Sequence, residues 1–195
     1  LPNGSTILGI ILASDKTHLM NYSGNKSMHA VYLTLRNIQN HIHQKTTHGG
    51  WMLVAKIPTL KFANTSFTSS GMKLEAERMP GILQKCLFHA CMQIVLEPLR
   101  IEQRRLQVVT GPDGYHQHCM PILMAWIADL EEQLLIAGVS QWSCPVCMVS
   151  HNDLQAHKNF TICTGNSTLE TLTLVCAKYP SASTWEFYQE VKRIQ

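Results

Sequence analysis

Along the chain, apolar positions fall into short runs separated by polar punctuation. Residues 7–14 are apolar enough for a central strand, and Val31-Tyr-Leu-Thr-Leu-Arg-Asn-Ile38 alternates apolar with other residues as a second strand would. Between them, Asn21, Ser23, Gly24 and Asn25 supply turn chemistry. Trp51 to Leu60 predicts a third strand after the Gly49-Gly50 break, and Pro58, which has no N–H to give a ladder, predicts that it ends near a sheet edge. Three consecutive strands predict a meander. Residues 61–81 lack strong periodicity and read as an irregular or weakly helical connection. From Ile82 the period changes: Leu83, Leu87, Ala90, Ile94 and Val95 recur at helical spacing and predict a helix through about Leu96. Leu106 to Thr110 predicts a short strand, Gly111-Pro-Asp-Gly114 a turn that accounts for Asp113, and Met120 to Ala128 another buried run. The apolar stretch Leu130 to Gly138 fits a helix or a strand, and Thr184 to Gln195 has helix-compatible spacing with Trp185, Tyr188 and Val191 or Lys192 along one side.

An acidic residue closes two of these runs: Asp15 after Ile-Leu-Ala-Ser, and Asp129 after Ile-Leu-Met-Ala-Trp-Ile-Ala. A carboxylate leaving a buried strand reaches the carboxyl edge of the sheet, where open α/β sheets bind ligands. Two such carboxylates can share a hard divalent cation, which takes oxygen ligands and often keeps waters. Taken by itself, each Asp equally suits an N-cap or turn that satisfies backbone donors, and spacing alone favours that reading.

A hydrophobic content of 45% supports one sizeable α/β domain, or one domain with an appendage. No cationic segment precedes an apolar leader, and no apolar run approaches the roughly 18 residues of a membrane span, so a soluble piece with no membrane partner is expected. The 16 Lys and Arg against 13 Asp and Glu permit nucleic acid as a partner without arguing for it. Arg100, Arg104 and Arg105 form a compact basic group, read as a solvated helix end because helix C-termini favour cations. Seven cysteines exclude complete intramolecular pairing and point to an intracellular chain, so the Asn-x-Ser/Thr patterns at Asn3, Asn21, Asn25, Asn64, Asn159 and Asn166 read as chance rather than as a secreted glycoprotein.

Cys86, His89 and Cys91 fall on the predicted helix and read as core packing. Cys144-Pro-Val-Cys147 is different, since two thiolates at this spacing on a turn supply half of a tetrahedral zinc site. His151, His157, Cys163 and Cys176 are possible completing ligands, and a redox dithiol or inert thiols are the alternatives.

The strings Ser14-Asp-Lys-Thr-His-Leu19, Ala30-Val-Tyr-Leu-Thr-Leu-Arg-Asn-Ile38, Leu87-Phe-His-Ala-Cys-Met92 and Leu96-Glu-Pro-Leu99 resemble, in order and spacing, the Plavaka transposases, fungal members of the Kyakuja-Dileera-Zisupton class of DNA transposons. Pro112-Asp-Gly114, Pro121-Ile122, Trp126-Ile-Ala-Asp129 and Cys144-Pro-Val-Cys147 are similar to later blocks of that family, so the resemblance covers about residues 7–155. It implies a ribonuclease H-like α/β fold, a mixed sheet flanked by helices with a small cysteine-containing insertion after the second acid. It also implies a DDE-type site, in which Asp, Asp and Glu hold magnesium or manganese for DNA strand cleavage and transfer, with the first acid at Asp15 and the second at Asp129. On the same footing, Cys144 and Cys147 belong to a structural zinc element, residues 1–140 to the catalytic core and 141–195 to the insertion and the start of a helical region. The implied partners are transposon-end and target DNA and further copies of the chain, in the nucleus.

The sequence departs from the family pattern at Glu131, where Pro tends to precede Glu-Gln, and it offers the third acid by residue type only, at Glu170, Glu186 or Glu190. Without the family's terminal DNA-recognition regions, the chain reads as a partial transposase domain. The alternative is an inactive transposon-derived remnant that binds DNA or a partner without cutting.

Overall fold

Thr6–His18 form β1, the central strand of the computed structural model, which describes residues 2–19, 27–62, 73–139, 144–153, 155–156 and 158–178. Alternation along β1 buries Ile10, Leu12 and Ser14 on one face, as a two-residue period requires. β2, Ser27–Leu35, runs antiparallel to it from Ile10↔Leu35 to His18↔Ser27. The expected second strand, Val31 to Ile38, therefore lies too late in the chain. Its true start is set by pairing with the polar tail of β1. At its end, Asn37 takes over from the backbone: its Oδ1 accepts from Gly9 N–H and its Nδ2 donates to the Ile7 carbonyl, each at 3.0 Å.

A helical turn, α1 (Asn40–His43), and a 3-10 turn at Thr46–His48 lead to β3, Met52–Ile57, which stops ahead of Pro58 and pairs antiparallel with β2 at one edge of the sheet. β4 (Gln107–Thr110) and β5 (His116–Ile127) form a hairpin whose turn is closed by Asp113 Oδ1 accepting from Tyr115 N–H at 3.1 Å. β5 then pairs parallel with β1, giving a five-stranded mixed sheet in the order β3-β2-β1-β5-β4. The ladder is irregular between Ile10 and Ile11, opposite Leu123 and Ala125. Met124 is the extra residue, and it lies so close over Gly9 that a Cβ there would collide with its Sδ.

α2, Lys73–Glu102, links the meander to that hairpin and packs against β3 and β5. It starts earlier than the periodicity predicts. Leu74-Glu-Ala-Glu-Arg-Met79 is a run of strong helix formers, so propensity supports the helix where an apolar stripe is lacking. Among its described side chains, Phe88 and Met92, one turn apart, are buried, whereas Cys86 and His89 are exposed, Cys91 is half-buried and Ile94 is 75% exposed. The core reading of Cys86 and His89 is thus overturned, because the helix face that meets the sheet is rotated from the one the periodicity picks out. Within α2, Glu77–Glu102 holds an 18-residue window long and apolar enough in composition to cross a membrane, with a mean hydropathy of 1.2 over that window, although the sequence read as having no such run.

The chain divides into two compact units, Leu1–Glu132 and Gln133–Gln195, the boundary falling within α3, Leu130–Ala137. α3 resolves the open choice at Leu130 to Gly138 in favour of a helix. It ends in a Schellman motif: Gly138, at φ 68°, donates to the Leu135 carbonyl and Val139 to that of Leu134, each at 3.1 Å. The second unit contains the Cys144–Cys147 turn, a 3-10 turn at His151–Asp153 and α4, Gly165–Lys178, with Val149 and Val175 buried. Thr164 caps α4 reciprocally: Ser167 N–H donates to Thr164 Oγ1 and Thr164 N–H to Ser167 Oγ. The expected C-terminal helix from Thr184, with Glu186 and Glu190, lies outside the described residues, as do His157 and residues 63–72.

The core of the first unit is small enough to test at one side chain. Leu12→Ala, at a position only 2% exposed, is expected to lower the unfolding free energy by about 2–5 kcal/mol in urea denaturation. The exposed Val108→Ala is expected to change it by less than about 0.5 kcal/mol.

Candidate active site

The parallel ladder between β1 and β5 ends at Ala13↔Ile127, and the two acids each stand two residues beyond it. Past that point the strands part. β1 continues in its pairing with β2, its own side chains exposed from Asp15 on, and places Asp15 opposite the buried Ala30, while β5 stops and the chain enters α3. Asp15 therefore does not leave its strand, as the sequence suggests; what it leaves is the pairing with β5. Where the ladder ends, the two strands are held by a half-buried bond, in which Trp126 Nε1–H donates to Ser14 Oγ at 2.7 Å. Ser14 is 5% exposed, and Trp126 also lies against Phe88 of α2, ring centroids 6.5 Å apart.

Both carboxylates are exposed. Thr17 Oγ1 donates to Asp15 Oδ2 at 2.8 Å, two residues along the same strand and on the same face. Asp129 Oδ1 accepts from the Glu132 N–H at 2.8 Å, the N-cap geometry that satisfies one orphan donor of α3. Capping uses one of the roughly four lone-pair sites of a carboxylate, so it leaves Asp129 able to ligate a cation. Among the described residues, no three His, Cys, Asp or Glu side chains converge as a metal site.

Sequence reasoning missed Glu132. Its side chain is buried, 6% exposed, and hydrogen-bonded through Oε1 to Nε2 of the equally buried His29 on β2 at 2.7 Å. The available signal was Asp129-x-x-Glu132, the spacing of a capping box, which marks a helix start. The reciprocal half of the box is not made here, because the Glu132 carboxylate turns to His29 instead.

In the second unit, the Cys144-Pro-Val-Cys147 turn is paired with the segment around Cys163. Cys147 forms an isolated antiparallel bridge with Ile162, Cys163 N–H donates to the Val146 carbonyl at 2.9 Å and Met148 N–H to that of Thr161 at 2.9 Å. Val146 N–H points at Cys144 Sγ, 3.3 Å away, and this bond is the main reason that the Cys144 thiol is held below its ordinary value. Desolvation, the bond with Cys144 and the nearby Cys144 and Cys163 push Cys147 up. Cys163 thus joins the two predicted cysteines, while Cys176 is exposed on α4 and all seven thiols are free. Of the basic group, Arg100 forms a two-pronged pair with Glu97, and Arg104 and Arg105 are exposed in the turn beyond α2.

Fold and site define a mixed α/β sheet domain that presents two exposed carboxylates just beyond the end of the pairing between two parallel strands. Residues 1–194, nearly the whole chain, match the Plavaka transposase family model, and the chain belongs to that family. The matched span continues well past residue 155, where the recognisable sequence blocks end. No curated protein matches the chain. Membership of a transposase family implies DNA binding.

Opposite shifts within one turn predict unequal reactivity, because the thiolate is the nucleophile. At neutral pH, Cys144, with its lowered pKa, is expected to be alkylated by iodoacetamide ahead of Cys147, with its raised one, as read by peptide mass spectrometry.

Proposed function

We propose that this chain is part of the catalytic domain of a DDE-type DNA transposase, built on a ribonuclease H-like sheet, with Asp15 and Asp129 as two of its metal-binding acids. The observation that carries the reading is their common position, two residues beyond the last paired couple of two adjacent parallel strands. The strand order, with an antiparallel meander on one side of β1 and a parallel partner on the other, supports the same reading.

The donors suit the implied cation. Carboxylate oxygens are hard ligands, which select magnesium or manganese over softer metals. When bound, such an ion activates an attacking hydroxyl or water and stabilises the leaving oxygen of an in-line displacement at phosphorus. The protein's own contribution is positional. Asp15 and Asp129 offer oxygens to solvent where a DNA backbone can approach, Thr17 orients Asp15 through Oδ2, and the Ser14–Trp126 bond keeps the two strand ends together. Glu170, Glu186 and Glu190 remain the candidates for the third acid. Cys144 and Cys147 are proposed as zinc ligands of the second unit, since a backbone N–H directed at one sulfur favours its thiolate, and Cys163, which the strand pairing brings near the turn, is the candidate third ligand, drawn in on metal binding. Nuclear action and assembly of several copies on paired DNA ends complete the proposal.

A manganese titration followed by thermal unfolding tests the acids. A hundredfold excess over Kd is expected to stabilise the chain by about 2.7 kcal/mol, and Asp15→Asn and Asp129→Asn are each expected to abolish the shift. Asparagine still caps a helix, so Asp129→Asn separates the metal role from the structural one. Stabilisation that survives in both variants, or is absent from the unaltered chain, overturns the assignment. For the cysteines, added zinc is expected to shield Cys144, Cys147 and Cys163 together from alkylation while leaving the exposed Cys86 and Cys176 reactive.

A further inference from the structure

We propose that His29 and Glu132 form a positioning brace for Asp129. The proposal rests on the reading of Asp129 as a metal-binding acid, and it concerns what holds that acid in place. Glu132 connects the two ends of the brace. Its backbone N–H donates to Asp129 Oδ1 at 2.8 Å, and its side chain is held by His29 Nε2 at 2.7 Å. Any displacement of Glu132 therefore moves the donor that orients the Asp129 carboxylate.

The pair lies across the centre of the sheet. His29 is on β2, Glu132 follows β5, and β1 lies between those strands, so the contact spans the end of β1 near the positions of Ser14 to Lys16. His29 pairs with Lys16 in the β1–β2 register while Ala30 pairs with Asp15, so the residues beside the two acids are tied to one another. The imidazole is itself fixed, stacked on Phe88 of α2 with ring centroids 5.2 Å apart and planes at 15°.

Burial supports a positioning role over a general stabilising one. A glutamate in the first turn of a helix gains from the helix dipole while remaining exposed, as the neighbouring Glu131 does. Glu132 instead has a side chain 7% exposed, against 9% for that of His29, and buried charged pairs are weak contributors to net stability compared with apolar residues of similar volume. What a buried, hydrogen-bonded pair supplies is a fixed direction. Groups that orient a metal ligand through hydrogen bonds typically change metal affinity by about 10–100-fold when lost.

The test uses the full chain with Glu132→Ala and Glu132→Gln, reading amide hydrogen exchange at position 132 by NMR and manganese binding by calorimetry. Alanine is expected to lose the protection of the residue-132 amide and to weaken manganese binding by about 10–100-fold. Glutamine, which keeps a hydrogen-bonding partner for His29, is expected to rescue both. Should Glu132→Ala not fold, the double variant His29→Leu/Glu132→Met, which leaves no unpaired polar group, is expected to give the same losses. Unchanged exchange, or lost protection with unchanged manganese affinity, overturns the proposal. Lost protection in a chain whose unaltered form binds no manganese upholds the brace and overturns the metal reading of Asp129 instead.

Discussion

The parallel pairing of β1 with β5 is the constraint on which the rest of the structure depends. Parallel neighbours cannot be joined by a tight turn, so the chain needs a long crossover between them. Here it first adds β2 and β3 on one side of β1, then passes through α2 and β4 before β5 arrives on the other side. α2 both makes that passage and covers a sheet face, with Phe88 and Met92 as its buried anchors. Because both strands run the same way, Asp15 and Asp129 come to stand equally far past the last paired residues, however far apart they are in the chain.

Those two ends are treated differently. β1 goes on into a ribbon with β2, so Asp15 sits on extended backbone with a hydroxyl neighbour, Thr17. β5 turns at once into α3, so Asp129 sits at a helix start and accepts a backbone N–H. The Ser14–Trp126 bond lies next to one acid and close to the other, and its Ser14 end is buried, where leaving the hydroxyl unpaired is costly. Polar side chains at this end of the sheet thus serve as fasteners: Ser14 with Trp126 reinforces the β1–β5 pairing where its ladder runs out, and His29 with Glu132 joins β2 to α3, which backbone pairing leaves unconnected. The second unit uses another device, a cysteine turn paired to a distant segment through a short antiparallel bridge.

Much of this was legible in the chain. An apolar run marks β1, alternation marks β2, Pro58 marks β3 as an edge strand, though the strand stops at Ile57 rather than Leu60, and Gly111-Pro-Asp-Gly114 marks the β4–β5 turn, because each is a local preference that the fold leaves intact. The boundaries were less so. β2 begins at Ser27 because pairing with β1 extends it over polar residues, and α2 begins at Lys73 on helix propensity without an apolar stripe. Leu130 to Gly138 read equally as helix or strand until the Asp129 cap and the Gly138 stop were seen together.

Asp15 and Asp129, and the cysteine pair at 144 and 147, could be picked out as candidates from the sequence alone, since each is a residue type in a recognisable local setting. Tertiary structure decided which partners they acquire. His29 and Glu132 are 103 residues apart, and no periodicity or spacing relates them. Cys163 joins the cysteine turn only through the bridge of Cys147 to Ile162, and the face that α2 buries is chosen by the sheet beneath it. The physical reason is the same in each case: hydrophobic pattern and turn chemistry act over a few residues, whereas burial and long-range pairing depend on where the strand order brings separate parts of the chain.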